Sequence, residues 1–219
     1  MPNQEDYLDR VWIKVINLDP NGAWIQECLE QSAEAGFRDL GPALERIISL
    51  KPSREDLGRL YRFVRYQACS AGFRALEKPG LKQGKVRGLH RQLAASKQAK
   101  GGKNLPEPGF LGSLWTIIDA DDHGAWMKML GRTMPLDGAF GDVPPALGRL
   151  LKKKIKEADL EAVARWHRYD AIFELLRLMD EEGFQRAAEI PGLHEILLGL
   201  EPSGKEARAG SWPFLRKLG

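Results

Sequence analysis

The residues best equipped for ligand chemistry are arginines and tyrosines that occur twice in one pattern. The motif R-[FW]-x-R-Y-x-A runs from Arg62 to Ala68 and again from Arg165 to Ala171. Arg62 and Tyr66 are four residues apart, so a helix puts them on the same side one turn apart, and Arg165 and Tyr169 repeat this. Arg65 and Arg168 complete the motif, and Arg74 and Arg177 follow at matching positions. If the two helices meet, four of these arginines and the Tyr66 and Tyr169 hydroxyls converge near the pseudo-axis on a site for an anionic ligand or an acidic partner. The planar guanidinium fork binds carboxylate and phosphate bidentately. The structural alternative pairs each arginine inside its own segment, for instance with Asp39 or Asp142, and makes each tyrosine a core ring with a satisfied hydroxyl. Residues kept in a duplicated fold are usually structural, which favours that alternative.

Other chemistry is poorly represented. The histidines His90, His123, His167 and His194 share no metal-ligand spacing, and none has a ligand at i+4. His167 stands where the first motif has Val64. Asn17, Asp19, Asn21 and Gly22 have the 1-3-5-6 spacing of a calcium loop, echoed by Asp119, Asp121, His123 and Gly124. That loop requires a bidentate Glu at position twelve, where this chain has Cys28 and Leu130, so turn and cap formation explains the same residues. No metal site and no cofactor is expected. Nucleophile-elbow, P-loop and dinucleotide-binding motifs are absent. Two cysteines, Cys28 and Cys69, are too few for a disulfide scaffold. Their counterparts in the second copy are Leu130 and Ile172, so both read as small core residues.

A basic stretch between the motifs is the other candidate surface. It holds Lys78, Lys82, Lys85, Arg87, Arg91, Lys97, Lys100 and Lys103, with Glu107 its one acid. The bland reading is a solvated connector; the sharper one is a strip for phosphates or an acidic protein face. No Phe, Tyr or Trp lies between Phe73 and Phe110, so the stacking rings of a single-strand groove are missing, which weighs against nucleic acid.

These residues belong to an internal repeat. Phe37–Gly80 aligns without a gap on Phe140–Gly183 at an offset of 103, with 15 of 44 pairs identical. The block F-x-D-[LV]-x-P-A-L-x-R-[IL]-[IL] is its strongest part. Tyr7, Leu8, Val11 and Trp12 match Phe110, Leu111, Leu114 and Trp115 at the same offset, whereas Gly22-Ala23-Trp24 matches Gly124-Ala125-Trp126 at 102. Small loop indels account for the changes of offset. The chain divides into a helical repeat over 5–80, a Gly/Pro-bounded basic linker over 81–106, a second repeat over 107–183 and a C-terminal extension over 184–219.

Each repeat reads as four helices. The first runs from about Glu5 to Ile16, with Leu8, Val11, Trp12 and Val15 at helical spacing. A second begins near Ala23. A third follows Asp39, an expected N-cap, with Pro42 in its first turn; Asp142 and Pro145 repeat this. The fourth and longest spans about 54–77 and 157–182, opened by a capping box of Ser53 and Asp56 and by the dipole-favoured Asp159. In the first copy Leu57, Leu60, Val64, Ala68 and Ala71 form one stripe, and Tyr66, Cys69 and Phe73 lie opposite. A helix apolar on two sides is buried on two sides. One side is expected to pack in its own repeat and the other on the equivalent long helix, about a pseudo-twofold. The extension adds short helices around Ala187 and Leu193–Leu200, then an apolar end at Trp212, Phe214 and Leu215.

Composition bounds the rest. The chain has 219 residues, 43% of them hydrophobic, enough for a core, and a net charge of +3, too weak alone to argue for nucleic acid. No apolar run approaches a membrane span and the polar start is not a signal peptide, so a cytoplasmic, membrane-free protein is expected. In size, helix content and lack of a catalytic motif the chain resembles small helical bacterial proteins that act as immunity, adaptor or regulatory partners. That resemblance implies a non-enzymatic, protein-binding module. The alternatives are a nucleic-acid-binding protein using the linker and the repeated arginines, and an enzyme with a site between the repeats.

Overall fold

The structure, a computed structural model, describes residues 10–18, 22–31, 37–76, 110–119, 126–127, 130 and 140–180. Every regular element among them is helical. We number these α1 (Val11–Ile16), α2 (Ala23–Gln31), α3 (Leu40–Ser49), α4 (Arg54–Leu76), α5 (Phe110–Ile118), α6 (Val143–Lys152) and α7 (Glu157–Asp180). Trp126, Met127 and Leu130 are also helical and buried. No helix among the described residues is long and apolar enough to cross a membrane. The linker 81–106, the extension 184–219 and the first residues of the chain lie outside the described residues.

The two long helices touch each other, α4 against α7. They pack tightly at Gly72, where a β-carbon would stand 3.2 Å from Leu175 Cδ2. Leu175 is the residue that aligns with Gly72 at the 103 offset, so a bare backbone on one helix admits the leucine at the matching position of the other.

Much of the remaining packing crosses between the halves of the chain, while α2 packs on α3 within the first half. Helix α3 packs on α7 and α6 packs on α4. Helices α1 and α5 each contact both long helices. On α3, Leu40, Ala43, Leu44 and Ile47 are buried, at helical spacing. Such spacing carries no information about which long helix covers that face. Helix α4 is buried on both expected sides, through Leu57, Leu60, Val64 and Ala68 and through Tyr66, Cys69 and Phe73.

Two local expectations are corrected. Asp39 and Asp142 do precede α3 and α6, but neither side chain makes a capping hydrogen bond. Their backbone carbonyls accept from the Ala43 and Ala146 N–H groups, each at 3.0 Å, which begins the helical ladder without the carboxylate. The Ser53 half of the capping box forms, with Ser53 Oγ accepting the Asp56 N–H at 3.3 Å. The Asp56 carboxylate points instead to Arg149 of the opposite half, while Asp159, in the first turn of α7 as expected, pairs with Arg46.

The first change of offset, from 103 to 102, resides in a helix rather than in a loop. Asn17 N–H donates to Trp12 O, five residues back, at 2.8 Å. Its counterpart Asp119 N–H donates to Trp115 O, four residues back, at the same distance. Helix α1 is thus a π-helical turn that absorbs one extra residue inside the helix, a recurrent way of accommodating an insertion. Val11, Trp12, Val15 and Ile16 are all fully buried there, so the wider turn keeps four apolar side chains in the core.

Helices α3 and α6 end alike. Lys51 and Lys154 adopt positive φ, 49° and 63°, just beyond each helix. Their N–H groups donate to Ile48 O and Leu151 O, each at 2.9 Å, closing the last turn. The left-handed position at a helix end is one that glycine fills without strain and lysine does not.

Candidate functional site

The repeated arginines lie where the first helix of each half meets its long helix. Arg65 Nε donates to the Val15 carbonyl near the end of α1. Arg168 Nη1 donates to the Ile118 carbonyl at the end of α5, at 3.2 Å. Val15 and Ile118 are 103 residues apart, as the two arginines are, so this is one contact made twice. A helix leaves its last carbonyls without partners, and the guanidinium satisfies one of them inside the core. Both arginines then take a carboxylate: Arg65 Nη1 bonds Asp170 Oδ2 at 2.6 Å, and Arg168 bonds Glu161 at 2.8 and 3.2 Å. Buried guanidiniums need such pairing, because an isolated buried charge is very costly.

Tyr66 and Tyr169 are core rings. Tyr66 lies 4.8 Å from Phe140 and 6.5 Å from Trp12, centroid to centroid. Tyr169 lies 5.1 Å from Phe37 and 5.9 Å from Trp115. In each half a Trp–Tyr pair receives the phenylalanine of the other half. Such tilted and stacked ring contacts add about 0.5–1.5 kcal/mol each beyond area burial.

The motif's first arginines differ. Arg165 Nε donates to Asp119 Oδ1 at 2.8 Å, and its guanidinium carbon sits 4.9 Å from the centre of the Phe37 ring. Arg62 has a buried Nε with no hydrogen-bond acceptor. Burial first, and nearby Arg59 second, pull its pKa below the usual arginine value. Arg74 is exposed, and Arg177 pairs with Glu174 at 2.7 Å. The structure therefore brings Arg65 and Asp170 together across the halves, while Arg165 and Arg168 hydrogen-bond carboxylates within their own half, with Asp39 of the other half also acting on Arg165 through its charge.

Around Arg65 lies a buried polar cluster that motif reading did not single out. His167 is fully buried, with Nδ1 3.5 Å from Arg65 Nη1. Its ring stacks on Tyr61 at 4.6 Å and meets Trp24 edge-on at 5.1 Å. Burial, then the Arg65 charge, hold its pKa well below the usual histidine value, so the ring is neutral. Cys28 is also buried; burial first and Asp170 second push its thiol far up. Burial likewise pushes Cys69 up to about 12. Neither thiol is a thiolate at neutral pH, and a thiol is a weak nucleophile and metal ligand. Both cysteines are free, and Leu130 and Ile172 are buried beside them in the same core. Among the described residues no three His, Cys, Asp or Glu side chains group as a metal site. Asp19, Asn21, Asp121, His123 and Gly124 of the calcium-like turns lie outside the described residues, as do His90, His194 and the linker residues Lys82, Lys85, Arg87, Arg91, Lys97, Lys100 and Lys103.

A surface feature appears where α3 and α6 end. Lys153 Nζ donates to the Lys51 carbonyl at 2.8 Å, so the two helix ends lie side by side. Ile48, Leu50 and Leu151 are exposed there, at 40%, 41% and 36%. Lys51, Lys152, Lys153, Lys154 and Lys156 are exposed in the same two turns. Composition hides this grouping, because the two segments are about a hundred residues apart and each alone is an ordinary helix end. Compared with models of protein families, with curated proteins and with solved structures, the chain matches none of them.

Proposed function

We propose that this chain is a non-enzymatic binding module for another protein, acting in the cytoplasm and built as two four-helix repeats about a pseudo-twofold. Paired contacts at one offset support the arrangement: Arg65 and Arg168 on matching carbonyls, and Phe37 and Phe140 exchanged between matching Trp–Tyr pairs. The binding face is the joint end of α3 and α6. The observation that carries this is the exposure of Ile48, Leu50 and Leu151 beside five exposed lysines. Apolar side chains rimmed by one sign of charge suit an amphipathic segment of opposite charge, the apolar contacts giving affinity and the charges steering encounter. The partner is therefore an acidic, amphipathic protein segment.

The test is a pull-down with the full chain after nuclease treatment, beside the doubly substituted Ile48→Asp, Leu151→Asp protein. The reading predicts a stoichiometric protein partner that the wild type retains and the substituted protein loses, both being equally folded by circular dichroism. Recovery of nucleic acid instead, lost on substituting the lysines and insensitive to Ile48→Asp, contradicts it.

A further inference from the structure

We propose that Arg62 anchors an oxyanion site, taking from outside the fold the carboxylate or phosphate that Arg165 obtains from Asp119. Three observations lead there. Arg62 and Arg165 occupy the same motif position, each one turn before the arginine that grips the end of the first helix. At Arg165 the residue closing that helix end is Asp119, whose carboxylate accepts the Nε hydrogen at 2.8 Å. At Arg62 the residue that closes α1 is Asn17, a neutral side chain, and the Arg62 Nε hydrogen is buried with no acceptor.

The neighbouring charges do not fill the gap. Arg59 is the cation nearest in effect, and Glu55 the acid. Glu55 is itself held by Arg59 at 2.5 Å, and Arg59 also lies 3.9 Å from Asp56 and 3.8 Å from Asp142. The acids around Arg59 are thus engaged with it, and among the described residues Arg62 makes no ion pair, Glu55 acting on it only at a distance. Arg62 is only partly buried as a whole residue although its Nε is buried, and the proposed anion enters beside the exposed part of this side chain. There it gains a charge-assisted, fork-shaped contact of the kind a guanidinium makes with carboxylate and phosphate.

The test follows thermal unfolding of the full chain while inorganic phosphate, or acetate, replaces chloride at constant ionic strength. Phosphate stabilises many proteins by exclusion from their surfaces, so the signal is the difference between wild type and variants. Arg62→Met keeps the apolar stem and removes the charge; Asn17→Asp supplies the carboxylate found at Arg165. The wild-type midpoint is expected to rise with anion concentration by several degrees more than either variant, as ligand binding to the native state requires. A rise with phosphate alone assigns a phosphorylated ligand; a rise with acetate as well assigns carboxylates too. Identical anion responses in all three proteins, or none in the wild type, overturn the proposal. Asn17→Asp retains Arg62, so it decides the matter even if Arg62→Met folds poorly.

Discussion

Arg46 of α3 reaches the Asp159 carboxylate at the start of α7, with Nη2 2.7 Å and Nε 3.0 Å from Oδ1. The residues are 113 positions apart and belong to different halves. Arg149 of α6 makes the reciprocal contact with Asp56 at the start of α4, Nη2 2.7 Å from Oδ1 and Nε 2.9 Å from Oδ2. Arg149 lies 103 residues after Arg46 and Asp159 lies 103 after Asp56, so one arginine–aspartate pair is made twice, each time across the halves. Both aspartates are nearly buried while both arginines are about half exposed, so the guanidinium serves the buried acid rather than the reverse. Asp56→Asn and Asp159→Asn should lower the unfolding midpoint by similar amounts. Arg46→Ala should cost less in an Asp159→Asn background than in the wild type, the non-additivity of a contacting pair, read in a double-mutant cycle by urea unfolding.

Gly72 and Leu175 give a second paired test. Gly72→Leu places two leucines against each other where α4 and α7 approach, and overpacking of this kind costs about 1–3 kcal/mol. Adding Leu175→Gly reverses the roles of the two helices and should recover most of the loss. Equilibrium denaturation of the single and double variants checks this; a double variant worse than Gly72→Leu alone would show that the two positions are not interchangeable.

His167 makes stability depend on pH. Its folded pKa is lowered, by burial first and Arg65 second, below the usual value of 6.5. Above 6.5 neither the folded nor the unfolded ring binds a proton and the full stability is present. As pH falls below 6.5 the unfolded chain takes up a proton that the folded chain does not, so stability drops, by at most about 1.4 kcal/mol per pH unit. Denaturation midpoints measured from pH 7.5 down to 5 should show this slope, and His167→Leu should flatten it.

Lys51 and Lys154 hold strained backbone positions that glycine would relieve. Lys51→Gly and Lys154→Gly should each stabilise the chain by about 0.5–1 kcal/mol, the relief of left-handed strain exceeding the added freedom of the unfolded chain. An alanine at either site brings no such gain, which separates backbone strain from loss of the lysine charge.

What could be read from the sequence was local. Spacing along α1 and the first long helix marked Val11, Trp12, Leu60 and Val64 as apolar-face residues, and they are buried. The double burial of α4 pointed to contact with α7. Hidden from view was which partner each face takes. Phe37 on Tyr169 and Arg46 on Asp159 are contacts over more than a hundred residues, and helical periodicity is silent on them. The π-turn of α1 was hidden too, because an inserted residue changes the offset in the same way whether it widens a helix or lengthens a loop. As for the site, the arginine motif was visible as a pattern, but only geometry distinguishes Arg62 from Arg165, since the distinguishing residues are Asn17 and Asp119 outside it.

The exchange of α3 and α6 between the long helices is the centre of this account: each half completes the core of the other. The direct measurement is to express the chain in two pieces cut within the linker over 81–106, and to follow urea unfolding of each alone and of the equimolar mixture. Each piece alone should lack a cooperative monomeric transition, because α3 and α6 have lost the long helices that cover them. The mixture should form a one-to-one complex that unfolds cooperatively. A single piece that unfolds cooperatively as a monomer, with a midpoint near that of the full chain, would contradict the exchange.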